Sequence, residues 1–323
     1  MRTILFLFLG VFSAVPRLLY AQSLTFQGSV VEKNGRTPIP YASVRLIKEK
    51  VSTSADDKGT FRLITLNPIA DDTLIISAVS YRPVKIPASR FTHKQIIRLE
   101  DDMQFLNEVK IAARAKRKTK TLNPLSFEEI KGIQIVYSGG GTQIARKFTA
   151  PTEFSRLKQV SLKRYLKTIH PFENQNCRFR IRVYDVDETT GAPGNDLGRQ
   201  VIEVEETVLK QVVSIDLTKY NIVIPKKAFF IAIEWLYIGF NEYIHIYLEP
   251  RSNSVFESDR GSTAAMLRYD IEYEPRIDIE EFDSRKDYRL TVYQKHHDGT
   301  WGNHGMDPPP AISAVITYTV LKK

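Results

Sequence analysis

The densest chemistry lies in Asp185-Val186-Asp187-Glu188-Thr189-Thr190-Gly191-Ala192-Pro193-Gly194-Asn195-Asp196-Leu197. Carboxylates so closely spaced are the hard oxygen donors that hold Ca²⁺, and Asp185 and Asp187 are the candidate ligands. The spacing departs from an EF-hand. Counting from Asp185, the glycine falls seventh rather than sixth, and no Glu stands at position twelve. Two glycines and a proline build such a turn without metal, so the expectation is a tight loop with no cofactor. Trp301, within His296-His297-Asp298-Gly299-Thr300-Trp301-Gly302-Asn303-His304, is the candidate ligand-binding residue. A loop tryptophan can stack on a sugar ring, or it can pack under Pro308-Pro309-Pro310. Ser138-Gly139-Gly140-Gly141-Thr142 lacks the Gly-Lys-Ser/Thr of a phosphate loop and the spaced glycines of a dinucleotide site, and reads as an entry turn. Cys177 is the single cysteine, so no intramolecular disulfide can form, and its strand-like flanks make it a small buried hydrophobe. No Gly-x-Ser-x-Gly elbow occurs, and no catalytic residue is assigned.

These residues must be positioned by β-structure. The 15 Tyr and 17 Phe favour strands, and 42% apolar with 26% charged content excludes a disordered chain. Residues 1–21 read as a secretory signal peptide cleaved after Ala21. Arg2 supplies the positive start, Ile4 to Val15 the apolar run and Leu19-Tyr20-Ala21 the cleavage site. That run is too short to span a bilayer, and no cysteine stands nearby for a lipid anchor. Losing Arg2 and Arg17 leaves about seven of the nine net positive charges. The expected place is the periplasm, the outer membrane or the cell surface, with no transmembrane segment after cleavage.

From Ser23 to Ala112 the apolar residues alternate over short runs. Phe26, Gly28 and Val30 share one face, as do Val44 and Leu46, Phe61 and Leu63, and Leu74 and Ile76. Ile96 to Leu99 and Val109 to Ile111 follow. Asn34-Gly35, Pro38-Ile39-Pro40, Asp57-Lys58-Gly59 and Asn67-Pro68 are the turns. About seven strands in this length predict a small antiparallel Greek-key sandwich. Gly28-x-Val30, Pro38-Ile39-Pro40-Tyr41-Ala42-Ser43-Val44, Thr53, Asp57-x-Gly59-x-Phe61 and Ser80-Tyr81 together resemble the carboxypeptidase-regulatory-like domain. That family is a transthyretin-like sandwich, common in envelope proteins of Bacteroidota, whose signal peptides also end Ala-Gln as at Ala21-Gln22. The family usually has glycine where Ser80 stands. Leu106-Asn107-Glu108-Val109-Lys110-Ile111 resembles the segment that follows this domain in outer-membrane TonB-dependent transporters, and also suits a last strand of the sandwich.

Residues 113–135 read as a basic linker with a short helix. Arg114 to Lys120 carries five positive charges in seven residues, and Ser126-Phe127-Glu128-Glu129 has capping-box spacing for a helix to about Lys131. The basic run suits anionic lipid or lipopolysaccharide. It lacks interleaved aromatics, so no nucleic acid is expected.

Residues 136–323 alternate again, at Val160 and Leu162, at Phe179, Ile181 and Val183, at Val213 to Leu217, and at Ile312 to Val320. Arg178, Arg180, Arg182 and Tyr184 then line a face turned to solvent or a partner. Phe229 to Ile238 is apolar on both faces and predicts a central strand covered on both sides. The fold class expected is all-β, with the small sandwich followed by a larger jelly-roll-like one.

The resemblance also implies a site to test. Zinc carboxypeptidases bind metal through His-x-x-Glu and a distant His, which His170-Pro171-Phe172-Glu173 with His296 or His297 would supply. The catalytic domain of those enzymes is α/β and precedes the regulatory sandwich, whereas strands follow here. The function expected is therefore non-catalytic, structural or binding, with envelope proteins or glycans as partners. Alternatives are a zinc carboxypeptidase or other envelope hydrolase, and a component of a TonB-dependent transport system.

Overall fold

A computed structural model describes residues 23–66, 69, 71–102, 116–125, 137–138, 141–166, 176–198, 200–207, 210–249, 266–280, 290–305 and 308–320. The expected leader, Leu106–Ile111, the helix expected after Ser126, and His170 with Glu173 lie outside the described residues. The described chain is strands and turns with three single-turn 3-10 helices, and no helix in it is long and apolar enough to cross a membrane.

The first sandwich has seven strands among the described residues. They are β1 (Leu24–Glu32), β2 (Ser43–Leu46), β3 (Ser52–Ser54), β4 (Thr60–Thr65), β5 (Thr73–Ser77), β6 (Val84–Pro87) and β7 (Gln95–Leu99). Two sheets, ordered β4-β1-β7 and β3-β2-β5-β6, close on one core. Phe26, Val30, Phe61, Leu63 and Leu99 face Val44, Leu46, Leu74 and Ile76 across it. Full burial of each such side chain stabilises by roughly 1.5–3 kcal/mol. The sheets are not wholly antiparallel, because β7 runs parallel to β1. The chain changes sheet through the short turn Ala88–Arg90, so no hairpin fixes its return direction.

Two glycines are required by close approach. A Cβ on Gly28 would lie 2.4 Å from the Gln95 carbonyl oxygen. Gly59 has φ +72°, and a Cβ there would meet the Val30 oxygen at 2.6 Å. The turn before Phe61 is built by Asp56 rather than Asp57. Asp56 Oδ1 accepts from the amides of Lys58 at 2.9 Å and Thr60 at 2.7 Å.

Ser80 explains the glycine usual at its position. Its φ is +66°, left-handed backbone that a side chain disfavours. The next residue anchors the turn, with Tyr81 Oη donating to Glu32 at 2.8 Å. Burial, with that carboxylate as acceptor, pushes the Tyr81 phenol up to about 12.

The second sandwich contains β8 (Lys116–Leu122), β9 (Gln143–Thr149), β10 (Ser155–Lys163), β11 (Cys177–Val186), β12 (Pro193–Asp196), β13 (Ile202–Glu206), β14 (Val212–Asp216), β15 (Val223–Ile224), β16 (Ala228–Trp235), β19 (Val292–Lys295), β20 (Trp301–Asn303) and β21 (Ile312–Val320). One sheet runs β14-β10-β21-β8, with β15 also on β10; the other runs β12-β11-β16-β9-β19-β20, with β13 also on β11. All these pairings are antiparallel. A separate ribbon pairs β17 (Glu242–Glu249) with β18 (Met266–Tyr273).

β16 is buried on both faces, as its sequence requires. Phe229, Ile231, Ile233 and Trp235 enter the main core between the sheets. Phe230 and Ala232 join a smaller cluster outside it with Ala145, Tyr184 and Tyr293.

The basic run is not a solvated linker throughout. From Lys116 it is an edge strand of the second sandwich, with Lys116 opposite Val320 and Leu122 opposite Ala314. Residues 117–121 are exposed while Leu122 is buried. Charge density hid this strand, since β-preference depends on what the strand pairs with. Lysines on an edge also discourage pairing with a further chain.

Ser80→Gly is expected to raise the stability of the first sandwich by about 0.5–1 kcal/mol, the relieved left-handed strain less glycine's extra unfolded-state entropy. Its melting transition in the full chain should move up by several degrees. A transition that falls would show that the hydroxyl, not the backbone, governs this turn.

Candidate functional site

The sandwiches meet on the outer face of the β11–β16–β9 sheet, and the register builds that face residue by residue. Trp301 of β20 stands opposite Lys295 of β19, and Lys295 opposite Gln143 of β9. Gln143 faces Glu234 of β16, Glu234 faces Arg180 of β11, and Arg180 faces Glu203 of β13. Six strands thus lay one row of aromatic, polar and charged side chains across the sheet. Arg178 and Arg182 flank Arg180 on the same face of β11, because successive side chains alternate.

Part of this row is covered by the loop between β1 and β2. Arg180 Nη1 donates to the Tyr41 carbonyl and Nη2 to the Pro40 carbonyl, each at 3.0 Å. Arg178 donates from Nη1 to the Tyr41 hydroxyl, and both guanidinium groups lie over the Tyr41 ring, at 5.2 and 5.7 Å. Tyr41 has φ +55°, rare for an aromatic residue, and this backbone turns two successive carbonyls toward one arginine. Burial pushes its phenol up, against the pull of Arg178.

A second contact joins β3 to the chain after β16. The Ser54 amide donates to the Tyr237 carbonyl and the Tyr237 amide to Ser54 Oγ, both at 3.0 Å. Ser52 Oγ hydrogen-bonds His297 Nδ1 in the β19–β20 turn. No carboxylate bonds the other His297 nitrogen among the described residues, so this pair clasps two domains and lacks the third member of a nucleophilic triad.

The row is electrostatically uneven. Arg182 donates from Nε to Asp196 at 2.7 Å and from Nη1 to Glu234 at 3.1 Å. Burial opposes ionisation of Glu234, but Arg182 and Arg180 hold its carboxyl below the usual range. Lys295 lies over the rings of Trp301 at 5.4 Å and Tyr184 at 5.9 Å, with no ion pair among the described residues. Burial, then Arg182, pull its amine down to about 8.

The residues singled out from sequence do not converge on one centre. Asp185 accepts from the Asn195 amide at 2.6 Å and side-chain amide at 3.1 Å. Asp187 Oδ1 accepts from the amides of Thr189 at 3.0 Å and Thr190 at 2.8 Å and from the Thr190 hydroxyl. Both carboxylates therefore order their own loop, and those bonds hold Asp187 below the usual carboxylate range. Trp301 packs edge-on against Tyr184 at 5.5 Å rather than under the prolines. Pro308 instead receives the Tyr137 hydroxyl on its carbonyl at 2.9 Å. His296 and His297 sit in a turn shaped by Asp298 and by Gly299 at φ +91°. No group of three His, Cys, Asp or Glu among the described residues is placed to hold a metal. Cys177 is fully buried, and burial raises its thiol to about 12, so no reactive thiolate is available.

Tyr41, Arg45 and Lys295 were not singled out from sequence. Alternation did place Arg178, Arg180 and Arg182 on an outward face, but no periodicity names the loop that covers them.

The Lys295 amine gives a pH-dependent outcome. Its folded-state value lies below its unfolded one, so between about pH 8 and the ordinary 10.5 the unfolded chain binds more protons. Stability gains from this group as pH rises through that window. Lys295→Met should lose that gain, seen by comparing urea midpoints of both proteins at about pH 7.5 and pH 10. Identical pH slopes would show that the amine titrates normally.

No curated protein matches the chain. Among solved structures it is similar to BcpA, the major pilin subunit of Bacillus cereus, at 10% identity, covering 90% of this chain and 69% of that one, with a TM-score of 0.17. It is also similar to the VP2 subviral particle of infectious bursal disease virus, at 10% identity, covering 93% of this chain and 64% of that one, with a TM-score of 0.22. Likenesses of this size carry no argument about fold or activity. Residues 26–111 match the family model of the CarboxypepD_reg-like domain, and the first sandwich is a domain of that family.

Proposed function

We propose that this chain is a non-catalytic structural or binding protein of the cell envelope, working as one two-domain body. In this reading it is exported by its N-terminal leader and resides in the periplasm or against the outer membrane, with envelope proteins or glycans as partners. The exposed basic edge of β8 faces anionic lipid or lipopolysaccharide, and no cofactor is required. The observation that carries the reading is the seating of Pro40 and Tyr41 on Arg178 and Arg180. It spends the CarboxypepD_reg-like sandwich on fixing a geometry. The leader-like sequence and the family of the first sandwich support the envelope address.

Tyr41→Ala removes the ring beneath two guanidinium groups and is expected to weaken docking by about 1–3 kcal/mol. Small-angle scattering should show an expanded chain while each sandwich keeps its own melting transition. An unchanged radius of gyration would sink the two-domain-body reading. The envelope assignment is tested by fractionating cells that express the full chain. Recovery in the cytosol, or robust turnover of a peptide or glycan by the purified protein, would overturn it.

A further inference from the structure

Two cationic side chains, Arg45 and Lys295, converge on the seam between the sandwiches, and neither has a carboxylate partner among the described residues. Arg45, from β2, is 8% exposed, and its Nε is buried without a hydrogen-bond partner. It forms no ion pair among the described residues. The carboxylates whose fields reach it, Glu234 and Asp298, are engaged elsewhere. Glu234 serves Arg182 at 3.1 Å, and Asp298 Oδ1 accepts from Thr300 at 2.8 Å. Lys295 has aromatic faces beside it but no carboxylate within ion-pair distance among the described residues. Arg180 is already satisfied beside them, giving both terminal nitrogens to the Pro40–Tyr41 loop with its Nε 4.0 Å from Glu203.

The backbone is shaped for this approach. Gly299 has φ +91°, and a Cβ there would stand 3.1 Å from Arg45 Nη2, so the turn between β19 and β20 lies directly against the guanidinium. Arg45 thereby comes against the hairpin that carries Lys295 and Trp301. A buried cation lacking a counter-charge is costly, and a guanidinium fork fits two oxygens of one anion.

We propose that this seam binds a small oxyanion, a carboxylate or a phosphate group, between Arg45 of the first sandwich and Lys295 of the second, with the body of the ligand lying along Trp301. The half-exposed Trp301 ends the row and offers apolar surface beside the charge. Because the two cations come from different sandwiches, the anion would tighten the docked pair. The inference rests on the docked arrangement proposed above, so docking is measured in parallel.

The test uses the full chain at fixed sodium chloride, with thermal shift and calorimetry against galacturonate, inorganic phosphate and glucose. Galacturonate or phosphate is expected to raise the melting temperature, while glucose does not. A response to phosphate alone assigns a bare tetrahedral group. A response to galacturonate alone assigns a carboxylate carried on a ring. Arg45→Gln and Lys295→Gln should each weaken binding by about tenfold or more. Lys295→Arg should retain it, as should Lys147→Gln, whose amine lies over Phe230 instead. Scattering on each variant reports whether the sandwiches stay docked. No response to either anion, a response to glucose of equal size, or binding that survives both glutamine substitutions in a docked protein would overturn the proposal. A wild-type chain that is extended in solution would instead overturn the two-domain body.

Discussion

The bonds from Arg180 to two adjacent backbone carbonyls set the rest of this architecture. A guanidinium that is 3% exposed must find acceptors, and it finds them on the other domain. Because the acceptors are carbonyls, the geometry depends on the path of the loop, and the left-handed Tyr41 sets that path. The arrangement turns an outward sheet face into an interior one. That is consistent with β16 being apolar on both sides and with Glu234 and Lys295, ordinarily solvated groups, having displaced proton affinities. An isolated second sandwich would expose much of this row to water.

Much of the fold is legible in the sequence. Period-two alternation in Phe26-Gly28-Val30 and Phe61-Leu63 marks strands because one face of each is buried, and the double-faced run at Phe229 marks a strand covered on both sides. Charge misled at Lys116 to Lys120, because an edge strand with no buried face carries no alternation to detect. The β17–β18 ribbon pairs residues as far apart as Glu242 and Tyr273, which local sequence does not encode. The parallel pairing of β7 with β1 depends on where the chain lands after changing sheets, which local sequence does not encode.

The site was less legible, for a physical reason. Carboxylates draw attention as ligands, but Asp56, Asp185 and Asp187 each spend their oxygens on nearby amides. The seam depends on partners far apart in sequence, Tyr41 with Arg180, Ser54 with Tyr237, and Arg45 beside Gly299. Each looks ordinary alone. The alternation in β11 correctly reserved a face for something; what occupies it is a tertiary fact.

The pairing of β8 with β21 has a consequence for how the molecule is made. β8 is the first described strand after the small sandwich and β21 the last described one, so its ladder joins opposite ends of the second sandwich. During synthesis the small sandwich can collapse first, since its longest described pairing, Gly28 with Gln95, spans only residues already made by then. The larger sheet must wait for β21 before β10 and β8 gain their shared neighbour. Loop-closure entropy makes such a long-range ladder slow to form. Until then the lysines and arginine of β8 keep an incomplete edge from pairing with the wrong chain, so the same charges that line the finished surface also protect the unfinished one.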